Sequence, residues 1–188
     1  MTLIVELPAR PGRGDSRPSL RTSTSLMGMK LALAGIGMLF TAFTSAYVVR
    51  HALDPDWHAI RMPRILVANT LALVISSLSL EVYRRSREER LWLVFAQGMG
   101  VLFVAGQVAA WRQLLAHGVY LSNNPHAAFF YVLTAAHGLH ILGGLFALGG
   151  VTLVAEARRT RWLEVASLYW HFMGALWLYL LYLLFGMN

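Results

Sequence analysis

Seven histidines are the residues of this 188-residue chain with most to offer chemistry. His137 and His140 lie three apart in one long apolar run, with Gly144 a turn further on, so a helix there carries all three on one face. His171 sits in another such run. Neutral imidazole is the commonest metal ligand. A bis-histidine haem needs two such rings on facing helices, and His137 or His140 opposite His171 would supply them. The same rings could instead hydrogen-bond between helices, in the space beside glycine. The other four, His51, His58, His117 and His126, are expected in loops on one side of the membrane. With no cysteine, the chain has no disulfide, zinc-thiolate site, iron–sulfur cluster or thiol nucleophile.

The carboxylates narrow the chemistry further. Glu6 and Asp15 fall near the N-terminus, and Asp54 and Asp56 in a connector. Glu81, Glu88, Glu89, Glu156 and Glu164 fall at the ends of apolar runs. None is expected at mid-membrane, where pumps and antiporters keep an ionisable relay. The chain is therefore not expected to translocate protons or cations alone.

These residues need a scaffold, and the composition says which kind. Hydrophobic residues make up 57% of the chain and charged residues 13%, well away from soluble proteins. Five apolar runs cover about 26–49, 65–83, 91–111, 127–155 and 165–185. Each has roughly the 20 residues that a helix needs to cross a bilayer. The expected fold is an all-α bundle of five transmembrane helices over 26–188, preceded by a disordered basic tail over 1–25 rich in Arg, Pro, Gly and Ser.

Charge sets the orientation. Arg10, Arg13, Arg17, Arg21 and Lys30 lie at or near the tail. Arg84, Arg85, Arg87 and Arg90 lie in the second connector, and Arg158, Arg159 and Arg161 in the fourth. The first and third hold only Arg50, Arg61, Arg64 and Arg112. Basic connectors stay cytoplasmic, so the N-terminus is expected inside and the C-terminus outside. The net charge of +7 then reflects topology, and no nucleic-acid partner is expected.

Polar residues inside the runs should face protein, because lipid offers them no partner. Gln97, Gly100, Val104, Gln107 and Trp111 form one stripe of the third helix. Asn69, Thr70, Ser76 and Ser77 mark the second, and Gly37, Thr41 and Thr44 the first. Gly143, Gly144, Ala147, Gly149 and Gly150 mark the fourth. These are read as packing surfaces.

Several of these strings resemble a known family. Residues 131–144, YVLTAAHGLHILGG, and 163–172, LEVASLYWHF, are similar to two helix signatures of cytochrome c oxidase subunit III, the third subunit of haem-copper respiratory oxidases. Residues 69–77, NTLALVISS, match that family's Asn-Thr followed by a Ser pair, and Gln107 and Trp111 match its Gln and Trp before a connecting loop. The likeness runs from about residue 26 onward and is to the short five-helix bacterial form. Ile36 stands where the family often has a helix glutamate, and Gly174 where it often has an aspartate.

The resemblance implies a non-catalytic accessory subunit in a bacterial plasma membrane. Haem and copper would sit in partner subunits and none in this chain. It would bind subunit I directly, with subunit II and further respiratory subunits nearby. It would hold phospholipid and support proton uptake. Asn69, Gln107, Trp111, His137, His140, Glu164, Tyr169, Trp170 and His171 would serve as structural, lipid or subunit contacts. An accessory subunit of nitric oxide reductase and a small bis-histidine haem cytochrome remain the alternatives.

Overall fold

Long apolar stretches without helix breakers must form helices in lipid, since only a helix satisfies its own backbone there. The computed structural model describes residues 20–53, 57, 60, 62–86, 90–122, 124–153 and 156–186. They form α1 Leu20–Leu53, α2 Ile65–Ser86, α3 Arg90–Ala116, α4 Pro125–Leu153 and α5 Glu156–Leu181, the last followed by a π-helical turn, Tyr182–Gly186. No strand occurs among the described residues. All five helices are long and apolar enough to span a membrane, as expected.

The helices outrun the apolar stretches that announced them. An apolar run stops where side chains turn polar, but a helix stops where its backbone is capped. α1 begins at Leu20, inside the stretch expected as tail, and α3 continues past Trp111 to Ala116. There Gly118 takes the left-handed conformation (φ 76°) that glycine adopts without strain. The Val119 amide then reaches back to the Leu114 carbonyl and the Gly118 amide to that of Leu115, both at 3.0 Å, which is a Schellman stop.

α4 starts early for a similar reason. The Asn124 side chain accepts from the Ala127 amide at 3.0 Å, and Pro125 fills the first helical position. His126 is therefore not the loop residue expected, but lies in the first turn of α4 and is fully buried. His51 likewise ends α1 rather than following it. His58, Asp54, Asp56, Glu88 and Glu89 lie outside the described residues.

α2 packs most extensively on α3; α4 packs on α3 and α5, and α5 on α2. α1 lies against α4 and α5. Only 17% of its spanning window is buried against 33–39% in the others, so it is the peripheral helix.

Glycines set the close approaches. A Cβ on Gly100 would come within 2.7 Å of Trp170 Cη2, and one on Gly144 within 3.0 Å of Trp170 Cε3. A Cβ on Gly106 would overlap the Asn69 carboxamide. Gly149 and Gly150, also expected in a packing surface, have open space beside them. The small-residue seam of α4 thus centres on Gly143 and Gly144.

Gly100 and Gly98 form a matched pair for test. Gly98 has nothing within 4 Å of an added Cβ. Gly100→Ala should lower the thermal stability of the purified protein, by about 1–3 kcal/mol for overpacking. Gly98→Ala should leave it unchanged or slightly raised. Equal effects at both positions would contradict the packing described.

Candidate functional site

Four consecutive residues of α5 organise the bundle. Successive helix positions turn by about 100°, so four of them sweep the whole circumference. The Tyr169 hydroxyl donates to the His140 carbonyl on α4 at 2.8 Å. Trp170 is fully buried, with its indole in the notch formed by Gly100 of α3 and Gly144 of α4. His171 Nε2 lies 3.9 Å from Glu81 Oε2 on α2. The Phe172 ring lies against Gly37 of α1. Each residue of the Tyr-Trp-His-Phe string thus meets a different set of neighbours.

Buried indoles need acceptors, and Trp111, Trp170 and Trp177 each find a hydroxyl on another helix. Trp170 Nε1 donates to Ser76 Oγ at 3.1 Å, and Ser76 donates onward to the Ala96 carbonyl of α3 at 2.6 Å. Trp177 Nε1 donates to Thr70 Oγ1 at 3.0 Å, and Thr70 donates to the Leu66 carbonyl. Trp111 Nε1 donates to Thr134 Oγ1 at 3.0 Å, and Thr134 donates to the Phe130 carbonyl. A hydroxyl suits this place because it accepts and donates at once. Asn69, Gln107 and His137 are buried within the same core. Glu164 stands apart and half-buried on α5, its carbonyl accepting from Ser167 Oγ.

His137, His140 and His171 each meet different neighbours. His137 stacks on Trp177, ring centroids 5.3 Å apart, and meets the Phe103 edge-on. His140 turns toward Phe40 of α1, and its Nδ1 donates to the Ala136 carbonyl. His171 faces Glu81. No group of three or more His, Cys, Asp or Glu able to hold a metal occurs among the described residues.

A groove of about 460 Å³ opens between α2 and α5. Leu73, Val74, Leu78, Ala175 and Leu178 make it apolar along its length, and Glu81, Arg85 and His171 make one end polar. Glu81 is held there by Arg84, through two bonds of 2.7 and 2.8 Å, and by Arg85 at 2.8 Å. Gly174 also lines the groove, where its missing side chain leaves room beside Ser77.

His126 is a structural residue that its sequence context concealed. Its Nδ1 accepts from the Ile60 amide at 3.0 Å, so its proton is on Nε2, which donates to the Leu184 carbonyl at 2.9 Å. Leu184 belongs to the π-helical turn that follows α5. Tyr47, Trp57 and Phe185 pack around the ring. The Asn-Pro start of α4 was the available signal.

Two predictions follow from these contacts. In a double-mutant cycle of Trp170→Phe with Ser76→Ala, the coupling should be near 0.6 kcal/mol and below about 1.7 kcal/mol. Zero coupling in thermal unfolding would mean that the indole bond is not part of the fold. His126→Phe keeps an aromatic ring but removes the acceptor of the Ile60 amide. Faster hydrogen exchange of Ile60, with α2 and α3 unaffected, is the expected result.

No protein-family model matches the chain. It is 34% identical over 121 residues to "Probable cytochrome c oxidase subunit 3" of Mycobacterium tuberculosis, covering 58% of this chain and 59% of that one. The match thus spans about three-fifths of the mycobacterial protein. It is 28% identical over 184 residues to "Cytochrome c oxidase subunit 3" of a Synechocystis species, 89% of this chain and 76% of that one. It is 24% identical over 162 residues to "Probable quinol oxidase subunit 3" of Staphylococcus saprophyticus, 78% of this chain and 80% of that one. Taken with five membrane-spanning helices, these likenesses make the chain a multi-pass membrane homologue of the cytochrome c oxidase and quinol oxidase subunit 3 proteins.

Proposed function

We propose that the chain is a non-catalytic accessory subunit of a haem-copper terminal oxidase, seated in a bacterial plasma membrane with its N-terminus on the cytoplasmic side. The relatives are named as third subunits of cytochrome c and quinol oxidases. The observation that carries the reading is the use made of the α5 signature. Tyr169, Trp170, His171 and Phe172 all join α5 to other helices of the same chain. A motif used this way builds a scaffold. Haem and copper would reside in partner subunits.

The catalytic subunit would be the direct partner. α1 supports this, because it is peripheral and exposes Leu31, Met38, Leu39 and Val49. Phospholipid would occupy the α2–α5 groove, acyl chain along Leu73, Val74 and Leu78 and headgroup beside Arg85 and His171. Any support of proton uptake would act through the partner, since by the resemblance noted above Ile36 stands where a helix glutamate would be expected.

Affinity purification of the tagged chain in mild detergent tests the assignment. Haem-bearing oxidase polypeptides should co-purify, with Soret absorbance in the complex and none in the isolated chain. A stable, colourless complex without any oxidase subunit would overturn the reading. Recovery of nitric oxide reductase subunits in their place would reassign the partner.

A further inference from the structure

Besides Nε2 of the half-buried Gln97, three fully enclosed polar side chains have hydrogen-bonding atoms with no protein partner among the described residues. They are both ring nitrogens of His137, both carboxamide atoms of Gln107, and Nδ2 of Asn69. The side chains belong to residues only 0%, 3% and 4% exposed, respectively. Groups enclosed to that degree are ordinarily satisfied, and hydrocarbon outside the bundle cannot satisfy them.

The three share one layer. On α3, Gln107 lies one turn from Phe103 and one turn from Trp111. Phe103 meets His137 at 5.9 Å, and Trp111 bonds Thr134, three positions before His137 on the same face of α4. Gln107 and His137 therefore lie at the same level of the α3–α4 seam. Asn69 fills the notch at Gly106, next to Gln107 in α3. Its neighbour Thr70 holds Trp177, which stacks on His137.

The trio does not pair directly, since none of these atoms bonds another. Each carboxamide nitrogen offers two donors, while a neutral imidazole offers one donor and one acceptor. The layer needs a small guest that accepts more than one hydrogen bond and can also donate. Water does both, and buried waters characteristically bridge about three otherwise unmatched groups.

We propose that the Asn69–Gln107–His137 layer is a binding site for ordered water. More than one water is needed: their oxygens accept from Asn69 Nδ2, Gln107 Nε2 and the protonated ring nitrogen of His137, and their protons go to Gln107 Oε1 and the unprotonated ring nitrogen. Phe103 and Trp177 wall the site and keep it localised. The site is independent of which partner subunit the chain joins.

The test uses the wild-type chain in the complex in which it purifies. A cryo-EM map fine enough to show water should contain a peak about 2.7–3.2 Å from both Gln107 and His137. Proton-detected solid-state NMR of the histidine-labelled complex should show magnetisation transfer from a slowly exchanging water to His137, assigned by the signal lost in His137→Phe. In Gln107→Met that transfer should fall at least several-fold while His140 and His171 signals persist. If Gln107→Met fails to assemble, the wild-type map and spectrum still decide. A dry layer with Gln107 bonded directly to His137, or a partner side chain inserted between them, would overturn the proposal.

Discussion

The hydrogen bond from Trp170 to Ser76, passed on to the Ala96 carbonyl, states the constraint that shapes this protein. Apolar burial distinguishes little between helix and lipid, so it cannot by itself hold one helix to another in a bilayer. Close packing and matched polar groups must do so. The indole N–H has no alternative acceptor in hydrocarbon, and it can reach Ser76 only while α5 sits close against α2. The absence of side chains at Gly100 and Gly144 is what permits that approach. Steric fit and hydrogen bonding thus select the same position for α5.

That logic repeats at other levels. Thr70 and Thr134 each close a bond within their own helix and still accept from a tryptophan of another. Thr44 and Tyr179 pair their hydroxyls at 2.8 Å, attaching α1 to α5. At the end of the bundle where α4 begins, His126 does with two ring nitrogens what the hydroxyls do with one oxygen. It joins the α1–α2 connector to the π-helical turn. The polar residues of the core act as fasteners between elements that are otherwise free to slide.

Much of this was legible in the sequence. Apolar run length announced five helices because span length is dictated by the bilayer. The stripe from Gln97 to Trp111 marked the inward face of α3, and Gly144 marked a close contact. Helix ends were less legible, since capping by Asn124 and Gly118 decides them rather than hydropathy. His126 was hidden for that reason. The face shared by His137 and His140 did not bring their rings to one neighbour, because three helical steps still separate two positions by about 60°. In a crowded core that is enough to send one ring to α5 and the other to α1. The hub role of α5 had no signal in spacing, because it depends on which helices surround it.

Chain order gives the central position of α5 a consequence for biogenesis. α1 to α4 leave the ribosome before α5, so they enter the bilayer with Ser76, Thr70 and the Gly100 notch facing an unfilled axis. The two hydroxyls are already bonded to carbonyls of α3 and α2, so what waits for α5 is the notch and the indole bonds that close it. Maturation therefore has a late, committing event, and defects in α5 should direct whole chains to membrane proteolysis rather than yield partly folded bundles.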